Sequence, residues 1–356
     1  MSNINFAEYV WIDGTQPTQQ IRSKARVVNV PDDPTPADFP SWSFDGSSTG
    51  QATGEDSDCL LNPVRVYADP FRGEGNFIVL CEVRNPDGSD HISNQRARLR
   101  SAIIQADDGL DPWVGFEQEY TLFRDGRPLG FPADGYPAPQ GQYYCGAGAE
   151  NVFGRDIVEA HACACVRAGV LIYGINAEVM PGQWEFQVGF RGNSDESCDA
   201  LSVADDVWVA RYLLHRVSEQ FGVRVSFDNK PIKGDWNGAG MHTNFSTAGT
   251  RCPETGIDAI ESIVASLEQL HEAHIAEYGD RLSERLTGAH ETCDIRTFKS
   301  GVANRGASIR IPQSVALKGY GYLEDRRPGA NSDPYRVATC LVGAAGSGTS
   351  TAARAA

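Results

Sequence analysis

Six side chains that can bind metal ions lie in short strings of apolar, aromatic, glycine and proline residues, and they constrain the fold of this chain more than any other feature. They are five glutamates and one histidine: Glu117, Glu119, Glu178, Glu185, His242 and Glu324. Any one of these glutamates alone is more often a solvated strand residue. Six together on a partly buried surface would be costly without a compensating charge. The sequence therefore predicts a fold that brings the six together around cations.

The local sequence predicts that the carboxylates share one face. Side chains alternate along a strand, so Glu117 and Glu119 face the same side. Glu178 and Glu185 are seven residues apart and would lie on opposite faces of one continuous strand. A Pro-Gly pair between them breaks the strand, and a turn there can return both to one face. Because oxygen ligands dominate, the set suits two Mg²⁺ or Mn²⁺ ions better than zinc.

Arginines lie close to the last of these ligands. Arg305 and Arg310 lie in one short segment, and Arg326 and Arg327 follow Glu324 almost directly. An isolated arginine is usually a surface ion-pair partner, but guanidinium groups beside two cations can neutralise a transferring phosphoryl group. The chain contains neither a P-loop nor a Rossmann glycine motif. We therefore predict phosphoryl chemistry in which metals and arginines hold the phosphates of ATP.

Composition excludes several other functions. A formal net charge of -16 argues against non-specific binding to nucleic acid or to an anionic membrane. No apolar run approaches the roughly 18 residues that a membrane helix requires, and the first residues lack the plan of a signal peptide. We predict a cytoplasmic protein that binds neither nucleic acid nor membranes.

The cysteines predict free thiols. They number nine, are widely spread and include no C-x-x-C pair. His161, Cys163 and Cys165 are close enough to resemble a zinc site. They lie in a stretch that looks helical, however, where side chains two residues apart point in different directions. Buried, inert thiols are therefore the favoured interpretation.

Turn signals and periodicity divide the chain into three parts. Residues 1–107 predict a small β-rich domain, with strands near Tyr9–Gly14 and Phe77–Val83 and a helix near Asn94–Ala106. Residues 108–342 predict a second domain that mixes strands with helices.

Within that second domain, Asp205–Phe221 and Ile257–Tyr278 have apolar residues at helical spacing. Residues 343–356 are rich in Gly, Ala, Ser and Thr, and they predict a disordered tail.

Taken in order, these strings resemble glutamine synthetase of the shorter type II class, which occurs in eukaryotes and some bacteria. The likeness begins at Glu8–Gly14, continues through Trp42–Thr49 and reaches Asn331–Pro334, so it covers about nine-tenths of the chain. The resemblance implies an α+β protein with an N-terminal β-grasp domain and a C-terminal catalytic domain of antiparallel strands backed by helices. It also implies pentameric rings stacked into a decamer, with active sites between subunits.

The resemblance assigns the six ligands to two cations. Glu119, Glu178 and Glu185 would hold the first cation. Glu117, His242 and Glu324 would hold the second, which bridges to the nucleotide phosphates.

The resemblance also implies roles for other residues. Asp58 would take a proton from ammonium, and Glu291 would close a flap over the intermediate. Substrate-binding residues would be Arg285, Asn237, Gly238 and Arg326, with Arg285 on the α-carboxylate of the amino acid. Phosphate contacts would come from Arg305, Arg310 and Arg326. Nucleotide-binding residues would be Trp113, Ser246, Arg310 and Arg326.

Two departures from the family pattern touch none of the matched ligands. Phe190 stands where the family usually has proline, and the segment Asn193–Asp199 looks slightly longer than usual. The C-terminal helix also looks shortened. These changes bear on loop conformation and subunit contacts more than on chemistry.

Three functions are compatible with the sequence. The first is ATP-dependent ligation of ammonia to the γ-carboxylate of L-glutamate through γ-glutamyl phosphate. The second is the same acyl-phosphate chemistry on another carboxylic acid or amine, and the third is a non-catalytic regulatory or structural role. Asp58, Glu291 and Arg285 favour the first, and the complete set of metal ligands and arginines argues against the third.

Overall fold

The computed structural model describes residues 4–106, 109–193 and 196–352. The predicted domain boundary between residues 107 and 108 therefore lies outside the described residues, as do part of the segment 193–199 and the last four residues. The three-part division of the chain stays a prediction.

The first part of the chain forms a five-stranded sheet in the order β2-β1-β5-β4-β3. Its strands are β1 (Ile4–Ile12), β2 (Ile21–Asn29), β3 (Trp42–Asp45), β4 (Asp58–Ala68) and β5 (Phe77–Arg84). β1 and β5 run parallel, and the other neighbours are antiparallel. Alternation along β1 explains why both faces are buried. Tyr9 and Trp11 fill a small core of this sheet, whereas Val10 joins the main core of the chain.

A second sheet of nine strands carries the residues of the predicted metal site. Its strands are β6 (Trp113–Arg124), β7 (Arg127–Pro128), β8 (Ile172–Ala177), β9 (Gln183–Val188), β10 (Arg224–Ser226), β11 (Met241–Ser246), β12 (Ser300–Val302), β13 (Ile309–Ile311) and β14 (Leu323–Asp325). The main order is β12-β13-β14-β11-β6-β9-β8, and β7 and β10 pair with β6. The sheet is antiparallel as expected except for the pair β12–β13, which is parallel.

Helices back this sheet. They are α1 (Gln95–Gln105), α2 (Arg155–Ala168), α3 (Ala200–Phe221), α4 (Ala248–Arg251), α5 (Gly256–Gln269), α6 (His271–Glu277), α7 (Gln313–Lys318) and α8 (Pro334–Ala352). α3 packs on β6, β9, α2 and α8, and most of its side chains are buried. No helix among the described residues is long and apolar enough to cross a membrane.

The predicted helix Ile257–Tyr278 is divided into two helices at Leu270. The break brings His271 and His274 onto the buried guanidinium of Arg327, at 3.2 and 3.5 Å. Helical periodicity cannot reveal this break, because it depends on a residue from a distant strand.

α8 continues to Ala352, so the described part of the predicted tail, residues 343–352, is helical. Ala344 and Ala345 are buried in the main core. Small side chains allow a helix to approach its neighbours closely, so a stretch that lacks large apolar residues can still pack.

Candidate active site

Cross-strand register places the predicted ligands side by side on one face of the second sheet. His242 of β11 is opposite Glu117 of β6, and Glu185 of β9 is opposite Glu119 of the same strand. Glu324 of β14 is opposite Asn244 of β11. Directly opposed residues in antiparallel strands share a face, and so do residues two apart. This face lines a cavity of about 490 Å³, which we call the acidic cavity.

Glu117, His242 and Glu324 form one cluster of possible ligand atoms, all within 4.8 Å of one another. Nδ1 of His242 lies 3.5 Å from Glu117 and 3.9 Å from Glu324. Glu324 is almost fully buried and accepts hydrogen bonds from Arg310 (2.6 Å) and Arg326 (2.5 Å). The three residues predicted to hold the second cation therefore lie together.

Glu119, Glu185 and His242 form a second such cluster, also within 4.8 Å. Glu178 follows β8 and lines the same cavity, but its carboxylate accepts hydrogen bonds from Asn176 (2.9 Å) and from the backbone of Val179 (3.3 Å). Its predicted place in the first cation's ligand set stays a prediction.

Burial and mutual repulsion raise the pKa values of these carboxyl groups. Burial raises the pKa of Glu119 to about 7. Burial, and next the charge of Glu119, raise the pKa of Glu178 to about 8. The pKa of Glu185 is raised by burial and then by Glu117. Burial, with Arg326 and Arg285 nearby, lowers the pKa of His242 well below its usual value. The uncharged form of His242, which a metal ligand requires, is therefore favoured.

The donor set fits hard divalent cations. Carboxylate oxygens dominate it, the uncharged form of the imidazole is favoured, and Glu119, Glu185 and Glu324 are buried where nearby acids repel one another. A cation between them would remove that repulsion. Glu117, His242 and Glu324 would hold one ion, and Glu119 with Glu185 would hold the other.

The predicted substrate loop lies at one wall of the acidic cavity. Asn237 and Gly238 line it together with Arg285, which is almost fully buried. Arg285 donates a hydrogen bond to Nε2 of His242 at 2.9 Å. A Cβ on Gly240 would lie 2.4 Å from the Arg285 guanidinium, so glycine is needed for this close approach.

Two loops form the rim of the acidic cavity. Glu291 is exposed on one of them, and both His290 and Glu291 have positive φ angles, +52° and +60°. Left-handed backbone is uncommon for such residues and marks local strain. Arg305 is exposed at the same rim, and its carbonyl accepts a hydrogen bond from Arg326.

A more apolar cavity of about 360 Å³ continues the same sheet face. Trp113 and Ser246 are opposite each other at the start of β6 and the end of β11, and both line it. Phe190 packs against Trp113 with 5.4 Å between ring centroids, and Arg251 lies 4.2 Å over the same indole. We call this space the aromatic cavity. Because it begins on the strand that carries Glu117, one extended ligand can occupy both cavities.

Asp58 is the predicted site residue that lies apart from the others. It begins β4 in the first sheet, is exposed, and is not among the described residues that line the acidic cavity. Arg327 also differs from the expectation. It points to the opposite side of β14 from Glu324 and pairs with Asp325 at 2.7 Å.

Several amides that sequence reasoning missed hold the carboxylates in place. Asn244 donates to Glu117 at 2.9 Å, Gln187 to Glu185 at 2.6 Å and Asn176 to Glu178 at 2.9 Å. Asn244 and Gln187 lie two residues from a ligand on the same strand. The period of two that linked Glu117 to Glu119 could have found both.

The zinc interpretation of His161, Cys163 and Cys165 fails on geometry. All three lie on α2, as expected. Sγ of Cys165 lies 3.1 Å from Nε2 of His161 in the core, whereas Cys163 is exposed on the other side of the helix.

The raised pKa values predict that added cations stabilise the protein more at high pH. A carboxyl whose folded pKa is raised favours the fold at low pH, and that contribution is lost as pH rises through the folded value. For Glu119 and Glu178 the loss begins near the ordinary pKa value of 4.5 and is complete above pH about 7 and about 8. Cations displace the same protons. We expect the rise in Tm on adding Mn²⁺ to be larger at pH 8 than at pH 6 in differential scanning fluorimetry.

A variant protein provides the control for this measurement of Tm. In Glu119→Gln, the rise in Tm at pH 8 should shrink. An equal rise in the wild type at both pH values would contradict a cation site at these carboxylates.

Known proteins match this chain over most of its length. The family model for the glutamine synthetase beta-Grasp domain matches residues 3–86, and that for the glutamine synthetase catalytic domain matches residues 94–254. A chloroplastic glutamine synthetase of Chlamydomonas reinhardtii is 53% identical, over 94% of this chain and 89% of the relative. A glutamine synthetase of Neurospora crassa is 54% identical over 93% and 89%. One from Streptomyces viridochromogenes is 51% identical over 94% and 95%.

Proposed function

This chain belongs to the glutamine synthetase family, and on that premise we propose how its residues carry out glutamine synthesis. The protein is a glutamate–ammonia ligase. It joins ammonia to the side-chain carboxylate of L-glutamate and converts ATP to ADP and phosphate. The family uses ATP and divalent metal ions.

The roles that we assign to the site residues rest on one observation. The acidic cavity and the aromatic cavity lie on the same face of the second sheet. Trp113 and Glu117 are four residues apart on β6, about 13 Å along a strand. We propose that the base of ATP lies against Trp113 and beside Ser246. Its ribose and phosphates then extend toward Glu117.

Arginines on the neighbouring elements would receive the phosphates. Arg310 and Arg326 both contact Glu324, so they border the proposed site of the second cation. Nε of Arg310 is buried and without a hydrogen-bond partner among the described residues, which leaves a donor for a phosphate oxygen. Arg305 adds a third guanidinium at the rim. Mg²⁺ or Mn²⁺, two or more per site, would neutralise charge on the transferring phosphoryl group.

Glutamate would lie with its α-carboxylate on Arg285, beside Asn237 and Gly238. A carboxylate does not react with ammonia because oxide is a poor leaving group. Transfer of the γ-phosphoryl group forms a bond from phosphorus to the side-chain oxygen and breaks the bond to ADP. Ammonia then attacks the carbonyl carbon, and phosphate leaves with the electron pair. In our proposal the rim loop with Glu291 closes over this intermediate and excludes water.

Asp58 would take the proton from ammonium as a general base. Since Asp58 is exposed and is not among the described residues that line its own chain's acidic cavity, we propose that it serves the cavity of a neighbouring subunit. Such a head-to-tail contact closes into a ring. We propose pentameric rings stacked into a decamer. We also propose a cytoplasmic location, which the nine free cysteines support.

Phosphate release measured with each substrate omitted tests the reaction. We expect turnover to require ATP, L-glutamate, ammonium and Mg²⁺ or Mn²⁺ together. Turnover with a different acid or amine, and none with glutamate and ammonium, would instead support the wider acyl-phosphate chemistry.

Shared active sites predict complementation between two inactive variants. Asp58→Asn and Glu324→Gln subunits should each be inactive alone. In co-expressed mixed rings, one site in about four combines an intact Asp58 with an intact Glu324 from the next subunit. We expect activity near a quarter of the wild-type value in the purified mixed oligomers. Mixed oligomers with no activity would contradict a site built from two subunits.

A further inference from the structure

A third cavity lies behind the active-site sheet and shares no described lining residue with the acidic cavity. Its volume is about 240 Å³. The loop after β1 forms one side with residues 18–21, and α3 forms the floor with Trp208, Arg211 and His215. β10 and the loop at Asp280 and Arg281 close the remaining sides. We call it the rear cavity.

Arg211 at the floor of the rear cavity is a buried cation that no described carboxylate contacts directly, although the charge of the buried Asp333 acts on it. Arg211 is only 3% exposed and makes no ion pair with any described residue. Its Nε donates to Oε1 of Gln118 at 2.9 Å, and Nη2 donates to the Ser332 carbonyl at 2.9 Å. Nη1 donates to none of the described residues. A buried charge that lacks a direct ion pair is costly, so the floor of the cavity favours an anion.

Arg224 is a second cation of the rear cavity, and solvent reaches it. It is exposed on β10, and its guanidinium lies 4.5 Å over the ring of Phe123. It makes no ion pair with any described residue. The carboxylates of this cavity are already engaged, because Arg281 contacts Asp228 at 2.6 Å and Asp280 at 3.4 Å. The three arginines and two aspartates leave a formal charge of +1 at this cavity, in a chain whose formal charge is -16.

We propose that the rear cavity is a second binding site, which holds a small phosphate-type oxyanion between Arg211 and Arg224. Two guanidinium groups can donate several charge-assisted hydrogen bonds to such a group. The amides of Gln19, Gln20 and Asn331 line the same space and can complete the contacts. The space admits inorganic phosphate and also the phosphoryl group of a small phosphate ester.

Two side chains that Arg211 contacts connect the site to the active-site sheet: Gln118 on β6 and Met241 on β11. Gln118 accepts two hydrogen bonds from Arg211 and lies between Glu117 and Glu119. It also donates to the Ala330 carbonyl at 3.0 Å. An anion that draws Arg211 toward the rear cavity changes the hydrogen bonds between Arg211 and Gln118. These bonds hold β6, the strand that carries two proposed metal ligands. Occupancy of this site therefore alters turnover without contact with ATP or glutamate.

Isothermal titration with inorganic phosphate tests the proposal. Phosphate is also a product of the reaction, so we expect two phosphates per wild-type chain, one in each site. In Arg224→Gln, binding at the rear cavity should weaken at least about ten-fold, because hydrogen bonds to a charged group are lost. The matched control is Arg124→Gln, which removes an exposed arginine of β6 that does not line this cavity. That variant should still bind two.

Two further measurements complete the experiment: a comparison of phosphate with a phosphate ester, and inhibition kinetics. Glycerol 3-phosphate that binds more tightly than inorganic phosphate identifies an ester as the ligand, and the reverse identifies free phosphate. Phosphate inhibition of the wild type should include a component that is not competitive with ATP, and Arg224→Gln should lose it. A single phosphate per wild-type chain, or wild-type stoichiometry and affinity in Arg224→Gln, would overturn the proposal. Neither result would affect the assignment of glutamine synthesis.

Discussion

Glu324→Gln should lower kcat/KM for ATP by at least about 10³-fold while the protein stays folded. Glu324 lies where we propose that the phosphates of ATP bind. It faces Glu117 and His242 and accepts hydrogen bonds from both Arg310 and Arg326. The amide keeps the size of the side chain and one acceptor for these arginines. It removes the negative charge that a cation needs. Steady-state phosphate release, with circular dichroism of the same samples, measures the effect.

Glu82→Gln is the matched control for this substitution. Glu82 is also a buried glutamate that pairs with arginines, Arg96 at 2.9 Å, Arg84 at 3.7 Å and Arg100, but it lies in β5 of the first sheet. The same chemical change there should lower stability and leave the kcat of the folded fraction near the wild-type value. More than a tenth of wild-type activity in Glu324→Gln would contradict the role given to this carboxylate.

Asp325→Ala should destabilise the protein by about 3–5 kcal/mol, because it leaves a buried arginine without its counter-ion. Asp325 is fully buried on the side of β14 opposite Glu324. It accepts hydrogen bonds from Arg327 at 2.7 and 2.9 Å and from Tyr278 at 2.9 Å. Urea unfolding followed by fluorescence measures the change, and the midpoint should fall clearly.

Asp294→Ala tests whether burial causes that effect. Asp294 also pairs with an arginine, Arg296 at 3.1 Å, but the arginine is 85% exposed. Exposed ion pairs contribute little, so the unfolding midpoint should not change measurably. An equally small change in Asp325→Ala would contradict the view that the Asp325–Arg327 pair anchors β14 behind the active site.

Much of the active site could be predicted because its metal ligands and arginines occur in short sequence motifs. Alternation along a strand correctly put Glu117 and Glu119 on one face, and a Pro-Gly turn correctly separated the segments of Glu178 and Glu185. Glutamine synthesis, the family and the α+β class with its β-grasp domain were also correct from the resemblance. These features depend on short sequence patterns or on their order along the chain.

What the sequence could not reveal depends on contacts between distant residues. The break at Leu270 places His271 and His274 against Arg327, which pairs with Asp325 on the side of β14 opposite Glu324. The continuation of α8 depends on close packing of small residues. The rear cavity joins a hairpin loop to α3 and β10, and no local pattern links these three segments.

Anomalous diffraction from crystals soaked with Mn²⁺ and ADP is the most direct test of two cation sites beside a bound nucleotide. We expect at least two strong manganese peaks in the acidic cavity. One should lie among Glu117, His242 and Glu324, and the other beside Glu119 and Glu185. Density for the base should lie against Trp113. Nucleotide density at Trp113 with no manganese between these side chains would contradict the account.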